Sequence, residues 1–193
     1  KRFIAWNEEW HRSRHPLVRV VAPLADAVSR HADACIAAGS KARDLYLRAG
    51  VAPDHVFLAP NCARSAHGSG ASLTNKLPQL RGKRVILFLS RMIRLKGLDY
   101  LLKAFAMLER EIPDVFLLIA GDGPCRPEWQ GMAQQLGLSN CLFVGPVPQD
   151  EVGDYYFASI VFVAPGVFID DDVVPCDAWG LVLNEAMGAG LPV

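Results

Sequence analysis

Two kinds of segment alternate along the second half of the chain: short runs made only of apolar residues, and longer segments in which apolar residues recur at helical spacing. Four such runs occur, at 85–89, 115–120, 141–144 and 160–164. Between the first two, large apolar residues recur every three or four positions from Leu98 to Leu108, which predicts an amphipathic helix. Further helices are predicted near 128–136 and from 149–151 onward. Continuous apolar strands alternating with helices predict an α/β fold, a Rossmann-like doubly wound parallel sheet covered on both faces.

The first 62 residues show a similar but shorter pattern. Apolar residues at helical spacing predict a helix over 16–31, and the run at 34–38 predicts a buried strand. Ser40 is a candidate N-cap for a helix that ends near Gly50, and 56–59 is a further short strand. Strand, helix and strand in this order predict part of a second α/β domain.

Residues 63–83 separate these two zones. They are rich in serine, glycine, alanine and polar residues and show no apolar period, so the sequence predicts an interdomain linker or a long surface loop. The chain starts at Lys1 without an initiator methionine, and the sequence predicts the beginning of a further strand at 191–193. We therefore expect a fragment truncated at both ends.

Composition and charge narrow the possible functions. Half of the residues (51%) are apolar and 21% are charged, which is typical of a globular protein, and the longest apolar runs are too short to span a bilayer. The formal net charge is zero, but all 20 lysines and arginines lie at or before Arg126. Either the opposite charges on two faces of one protein balance each other, or a basic N-terminal segment faces an anionic ligand or lipid surface. A nucleic-acid partner is not expected, because no basic stripe with interleaved aromatic residues occurs.

The five cysteines have no paired spacing and no histidine at metal-ligand spacing, so we expect reduced thiols, no structural metal and a cytoplasmic protein. The acidic run at 170–172 resembles a cation ligand set only superficially, and a solvated loop is the preferred interpretation.

In a doubly wound sheet, ligands bind at the carboxyl ends of the strands. The loop after the run at 85–89 carries Arg91 and Lys96. The planar guanidinium group of an arginine and the compact ammonium group of a lysine together suit a diphosphate. Surface loops often carry such residues, so the pair alone is weak support. The next strand ends in Gly121-Asp-Gly123, a turn that would let a ligand approach the backbone.

The last segment, DAWGLVLNEAMGAGLPV from Asp177 to Val193, is the most informative. Gly180 permits a tight turn into a predicted helix, so that amides around Gly180 and Leu181 lie at a helix N-terminus, a natural phosphate site. Glu185 follows Leu181 by about one turn on the same side, where its carboxylate can accept hydrogen bonds from sugar hydroxyls. Asp177 precedes the helix at its open end.

These residues resemble the retaining GT-B glycosyltransferases, especially family 4, whose signature is an acidic residue, seven further residues and a glutamate. The segment from Asp177 to Glu185 and beyond matches this signature at nearly every fixed position, with aspartate in place of the first glutamate. Four further stretches resemble family motifs in the family's order: Ser90-Arg91 through Lys96-Gly97, Gly121 to Pro124, Phe143 to Val147, and Pro60-Asn61-Cys62 at the domain boundary.

The resemblance implies a transferase that moves a sugar from a nucleotide diphosphate to an acceptor hydroxyl with retention of configuration. Arg91 and Lys96 would neutralise the diphosphate, and Glu185 would bind the ribose. The backbone near Val147 would contact the base, and Asp177 with the start of the helix would hold the sugar. The donor would be a UDP- or GDP-sugar, with no metal and no cofactor.

The implied domains are 1–62, the end of an N-terminal acceptor-side domain, and 84–193, an incomplete donor-binding domain, joined by the linker 63–83. The acceptor would be a sugar or a lipid-linked sugar in polysaccharide or glycolipid biosynthesis, and the isolated fragment would be inactive. A non-catalytic nucleotide-sugar-binding fragment and a GT-B sugar-nucleotide epimerase remain alternatives. A Rossmann dehydrogenase is disfavoured, because GxGxxG is missing after the early strands.

Residues 1–20 combine Trp6 and Trp10 with five basic residues. Many members of the family that the chain resembles dock on the cytoplasmic membrane face, and a basic aromatic segment could serve that purpose. A helix packed into the first domain is the interpretation that the sequence favours.

Overall fold

The computed structural model describes residues 2–8, 16–166 and 180–193. The chain divides into two compact units, the first ending at Cys62 and the second beginning at Ala63. Within the described residues, no helix is both long and apolar enough to cross a membrane. Asp177, the acidic run at 170–172 and Trp10 lie outside the described residues.

The first unit contains a three-stranded parallel sheet in the order β1-β2-β3, formed by Ile4–Asn7, Ala34–Ala37 and Val56–Leu58. Helices α1 (Pro16–Arg30) and α2 (Ser40–Arg48) precede and follow β2. Strand β1 was not predicted. Gly39, and not Ser40, occupies the N-cap position of α2, so Ser40 is its first helical residue.

The second unit is built on a four-stranded parallel sheet. Its strands are β4 (Arg84–Leu89), β5 (Val115–Ala120), β6 (Cys141–Gly145) and β7 (Val161–Phe162), in the spatial order β6-β5-β4-β7. The helices are α3 (Gly70–Lys76), α4 (Leu98–Glu111), α5 (Arg126–Gln135), α6 (Val152–Phe157) and α7 (Leu181–Gly188). The α/β class with parallel sheets is thus confirmed.

Both faces of this sheet are buried, as the continuous apolar runs predicted. Alternate residues of β4 enter different cores: Val85 and Leu87 pack on one face, and Ile86 and Phe88 on the other. Residues of α3, α6 and α7 cover the first face, which we call the α6 face. Residues of α4 and α5 cover the second.

The stretch at 63–83 differs from the weakly structured loop that the sequence predicted. It contains α3 and a 3₁₀ turn at Pro78–Leu80, and Leu73 and Leu80 are almost completely buried in the core of the α6 face. With so few large apolar residues in a short helix, no period was visible in the sequence. The assignment of the two units to acceptor and donor sides stays a prediction.

Glycines explain how this polar stretch packs so closely on α6. A Cβ atom added to Gly153, in α6, would lie 1.8 Å from the carbonyl oxygen of His67, and one on Gly70 would lie 2.5 Å from that of Phe157. The Asp154 carboxylate accepts a hydrogen bond of 2.7 Å from the backbone N–H of Ser69, at the N-terminus of α3. This hydrogen bond lowers the pKa of Asp154 below its ordinary value. Backbone contact and two buried leucines therefore replace the missing apolar stripe.

We expect Gly153→Ala to destabilise the chain by about 1–3 kcal/mol, because the added methyl group would lie 1.8 Å from the carbonyl oxygen of His67 and could be accommodated only by a shift of the main chain. Gly131→Ala is the matched control: Gly131 also lies in a helix, α5, but an added Cβ there has open space. It should stabilise the chain by about 0.5–1 kcal/mol through helix propensity. Urea unfolding monitored by circular dichroism measures both, and equal effects would contradict the packing argument.

Candidate donor site

The strand order locates the site on topological grounds. From β4 the chain proceeds to β5 and β6 on one side, whereas β7 pairs with the other side of β4. The crevice at the carboxyl ends of β4 and β7 is therefore the switch point at which ligands bind in doubly wound sheets. The loop carrying Arg91 and Lys96 follows β4, and α7, which carries Glu185, follows β7. The loop after β4 approaches the residues that directly follow β7, since a Cβ on Gly166 would lie 3.8 Å from the carbonyl oxygen of Leu95.

The loops at this edge are tied together by backbone hydrogen bonds. The N–H of Met92 donates to the carbonyl of Asp122 at 2.8 Å, and the N–H of Cys125 donates to the carbonyl of Met92 at 3.0 Å. The N–H of Gly121 donates to the carbonyl of Gly145 at 2.7 Å. The loops after β4, β5 and β6 thus form one connected surface.

Gly121 and Gly123 are required by this junction. Gly121 has a φ of 119°, and an added Cβ would lie 1.9 Å from the carbonyl oxygen of Ser90. An added Cβ on Gly123 would lie 2.5 Å from that of Met92. The sequence suggested that these glycines let a ligand approach the backbone. In the structure, the group that approaches them closely is the backbone of the loop after β4. Their role in donor binding stays a prediction.

Arg91 and Lys96 are close enough to influence each other electrostatically. The pKa of Lys96 is lowered, first by burial of its ammonium group and second by the positive charge of Arg91. Lys96 is half-buried and Arg91 is exposed. Two other arginines nearby form ion pairs, Arg94 with Glu128 at 3.0 Å and Arg126 with Asp122 at 3.1 Å. Burial and a like charge thus both act on Lys96 in this loop.

Helix α7 begins as the sequence predicted, with Gly180 at its N-cap and Leu181 as its first residue. The first backbone N–H groups of a helix have no partner within the helix and carry partial positive charge. Leu181 is exposed, whereas Glu185, one turn later, is half-buried. The chain then turns back at Gly190, and the carbonyl of Pro192 accepts a hydrogen bond from the N–H of Phe162 in β7.

Glu185 has a partner that the sequence did not reveal. The hydroxyl of Tyr156, in α6, donates a hydrogen bond to Oε2 of Glu185 at 2.9 Å, and it lies 3.4 Å from the carbonyl oxygen of Val182. The Tyr156 side chain is only 1% exposed. Burial, followed by the hydrogen bond and the charge of Glu185, raises the pKa of Tyr156 far above its ordinary value. The hydroxyl therefore remains a proton donor over the whole physiological pH range.

Glu185 and Tyr156 line a cavity of about 500 Å³ in the second unit. One wall is the segment 64–67, and another is the beginning of α6 with the preceding turn, including Gln149, Asp150 and Gly153. The close contact of Gly153 with His67 joins these two walls. Among the described residues that were predicted to form the donor site, Glu185 is the one that lines this cavity.

The remaining predicted residues lie as follows. Val147 packs on the α6-face core, two residues before Gln149 of the cavity wall. Asp177 lies outside the described residues. Tyr156 was not predicted, because a tyrosine at core spacing in a short helix carries no signal of a polar partner. The segment 64–67 was not predicted because the surrounding stretch resembles a linker, although the nearby Gly68 and Gly70 are residues that permit close backbone packing.

Sequence comparison relates the chain to known enzymes. Residues 72–193, more than half of the chain, match the family described as glycosyl transferases group 1. A GDP-mannose-dependent alpha-(1-6)-phosphatidylinositol monomannoside mannosyltransferase of Mycolicibacterium smegmatis is 33% identical over 119 residues, covering 59% of this chain and 30% of the relative. An alpha-monoglucosyldiacylglycerol synthase of Streptococcus pneumoniae is 30% identical over 122 residues, covering 63% of this chain and 26% of the relative. The chain thus spans about 30% of the length of the first of these relatives and less of the second.

Solved structures share the fold. Anabaena HepE in complex with UDP and glucose matches 100% of this chain and 52% of its own, with a TM-score of 0.75 and 21% identity. A sucrose-phosphate synthase of Thermosynechococcus elongatus matches 90% of this chain and 43% of its own, with a TM-score of 0.67 and 26% identity. Together with the motifs at the switch point, these matches show that the chain belongs to the glycosyl transferases group 1 family, the GT-B glycosyltransferases that the sequence resemblance indicated.

Proposed function

We propose that this chain carries the nucleotide-sugar donor site of a retaining, family 4-like glycosyltransferase. Arg91 and Lys96 bind the diphosphate, Glu185 binds the ribose, and the base lies near Val147. Gly121 and Gly123 hold the loop junction against the diphosphate. Asp177, Gly180 and Leu181 hold the transferred sugar and the adjoining phosphate at the start of α7.

One observation carries this proposal: two like charges are held together at the switch point. Keeping Lys96 half-buried beside Arg91 disfavours its charged form, as the lowered pKa shows. A diphosphate would offset both the burial and the repulsion, and its negative charge grows as the glycosidic bond breaks. Preplaced cations therefore stabilise the transition state more than the ground state.

Within this proposal the leaving diphosphate is stabilised by protein groups alone, with no metal and no cofactor. The acceptor hydroxyl attacks from the face that the diphosphate leaves, so that the anomeric configuration is retained. Because the chain spans about 30% of its relatives or less, the complete reaction belongs to the proposal as well: the isolated chain binds the donor but does not turn it over.

The acceptor is proposed to be a sugar or a lipid-linked sugar. The name of one relative specifies phosphatidylinositol monomannoside, and a second relative is named for the synthesis of a glucosylated diacylglycerol; both compounds are glycolipids. Helix α1 offers a surface for peripheral contact with the cytoplasmic membrane face. None of its described residues is fully buried, and its exposed apolar side chains include Leu17, Val20 and Leu24.

UDP or GDP should raise the melting temperature of this chain, with Lys96→Ala and Glu185→Ala each weakening the affinity by about tenfold or more, because each removes a charged partner of the nucleotide. Lys103→Ala is the matched control. It also removes one positive charge, but from the exposed face of α4, opposite the face that is buried in the core. Thermal shift and isothermal titration calorimetry measure the effect. Failure of every nucleoside diphosphate to bind would overturn the donor site, and turnover by the isolated chain would overturn its proposed incompleteness.

Affinity for the diphosphate should fall as the pH rises toward the ordinary lysine pKa of 10.5, because Lys96 loses its proton below that value. The anion favours the protonated ammonium, so binding at alkaline pH takes up a proton. Lys96→Arg keeps its charge throughout and should remove this part of the decline. Titrations between about pH 8 and about pH 10.5 measure it, and the ratio of wild type to variant cancels ionisation of the base. A constant ratio would show that Lys96 does not touch the diphosphate.

Vesicle flotation tests the membrane contact. We expect the chain to float with vesicles that contain anionic phosphatidylglycerol, and to stay at the bottom of the density gradient when the vesicles are neutral. A double variant, Val20→Glu with Leu24→Glu, should abolish flotation, and the exposure of both side chains argues that the fold is preserved. Absence of flotation for the wild type would refute the contact.

A further inference from the structure

The ring of Tyr156 is fixed before any ligand arrives. It belongs to the core cluster of the α6 face and packs edge to face on Phe162 of β7, with 5.9 Å between the ring centroids and an interplanar angle of 64°. A tyrosine ring is defined by two side-chain torsions, and this packing holds both. The position of the hydroxyl is therefore set by the sheet and the core.

Glu185, in contrast, has three side-chain torsions and is only half-buried. A free glutamate loses rotamer entropy when it is ordered on binding a ligand. The Tyr156 hydroxyl lies 2.9 Å from Oε2 and removes part of that freedom in advance. The two oxygens of a carboxylate offer about four acceptor sites. One hydrogen bond to Oε2 therefore leaves both sites on Oε1 and the second site on Oε2 for ligand hydroxyls.

We propose that Tyr156 is a positioning residue for the donor: through its hydroxyl it orients the Glu185 carboxylate so that Oε1 faces the ribose hydroxyls in the cavity. This inference rests on the proposed role of Glu185. Tyr156 acts through Glu185, and its ring remains part of the core.

The geometry distinguishes this role from simple burial of a hydroxyl. Two acceptors lie within reach, and the carboxylate at 2.9 Å is closer than the Val182 carbonyl at 3.4 Å. A single hydroxyl proton serves one acceptor well, so the bond is made to Glu185. Because the raised pKa keeps the hydroxyl protonated, the orientation does not depend on pH in the physiological range.

The test is a double-mutant cycle on nucleotide binding, with Tyr156→Phe, Glu185→Ala and the double variant. Isothermal titration uses UDP and GDP together with their 2′-deoxy forms. Tyr156→Phe should weaken binding of the ribonucleotide about threefold to tenfold and reduce the preference for ribose over deoxyribose. In the Glu185→Ala background Tyr156→Phe should have no further effect, because the carboxylate through which Tyr156 acts on the ligand has been removed.

Tyr155→Phe is the control, since it removes the hydroxyl of the adjacent buried tyrosine from the same core cluster, and it should bind like the wild type. Equal effects of Tyr156→Phe in both backgrounds, or no effect at all, would overturn the positioning role. Unchanged binding in Glu185→Ala would instead overturn the ribose role of Glu185 and this inference with it. A wild type that binds no nucleotide overturns the donor site itself.

A second measurement covers the case in which Tyr156→Phe unfolds. In wild type labelled with ¹³C at the tyrosine ζ carbon, the chain has four tyrosines, and Tyr155→Phe helps to assign their signals. Saturation with the nucleotide should shift the Tyr156 signal, because the carboxylate it contacts gains new partners. An unmoved Tyr156 signal in a saturated sample would contradict the proposal.

Discussion

The second unit depends on a parallel sheet that is buried on both faces. Neither face of such a sheet is exposed to solvent, so β5 and all of β4 after Arg84 consist of apolar residues, whose side chains divide between two cores. Polar groups can then be placed only where strands end. The order β6-β5-β4-β7 opens one crevice at that edge, between the ends of β4 and β7. The same constraint that builds the core therefore also determines where charged residues can meet a ligand.

Close backbone approach connects the loops at this edge. Gly121 and Gly123 let the loop after β5 lie directly on the loop that carries Arg91. On the α6 face, Gly153 and Gly70 bring a polar segment against α6 and complete a wall of the cavity. In each case a missing Cβ atom substitutes for side-chain packing, and hydrogen bonds between main-chain atoms or from Asp154 set the register. The positions of the site residues follow from these contacts.

The electrostatics of the edge combine paired arginines with a half-buried lysine. Arg94 and Arg126 form ion pairs with neighbouring carboxylates, and burial together with the charge of Arg91 lowers the pKa of Lys96. Across the switch point, α7 presents the start of a helix and the Glu185 carboxylate. A cationic region and an acceptor of hydroxyl hydrogen bonds thus follow two neighbouring strands, the arrangement expected for a ligand with a diphosphate and a ribose.

The sequence by itself determined the α/β class, most helices and strands of the second unit, and the segments that follow β4 and β7. These features depend on apolar periodicity and on local motifs such as the segment ending in Glu185, which are visible along one chain. Only the tertiary structure decided that 70–76 is a helix, that Gly121 faces Ser90, and that Tyr156 donates to Glu185. The helix is held by packing on α6, and the other two are contacts between residues distant in sequence, so none of the three leaves a period in the chain. The segments that carry the proposed donor-site residues were thus visible in the sequence, whereas the hydrogen bond from Tyr156 to Glu185 was not.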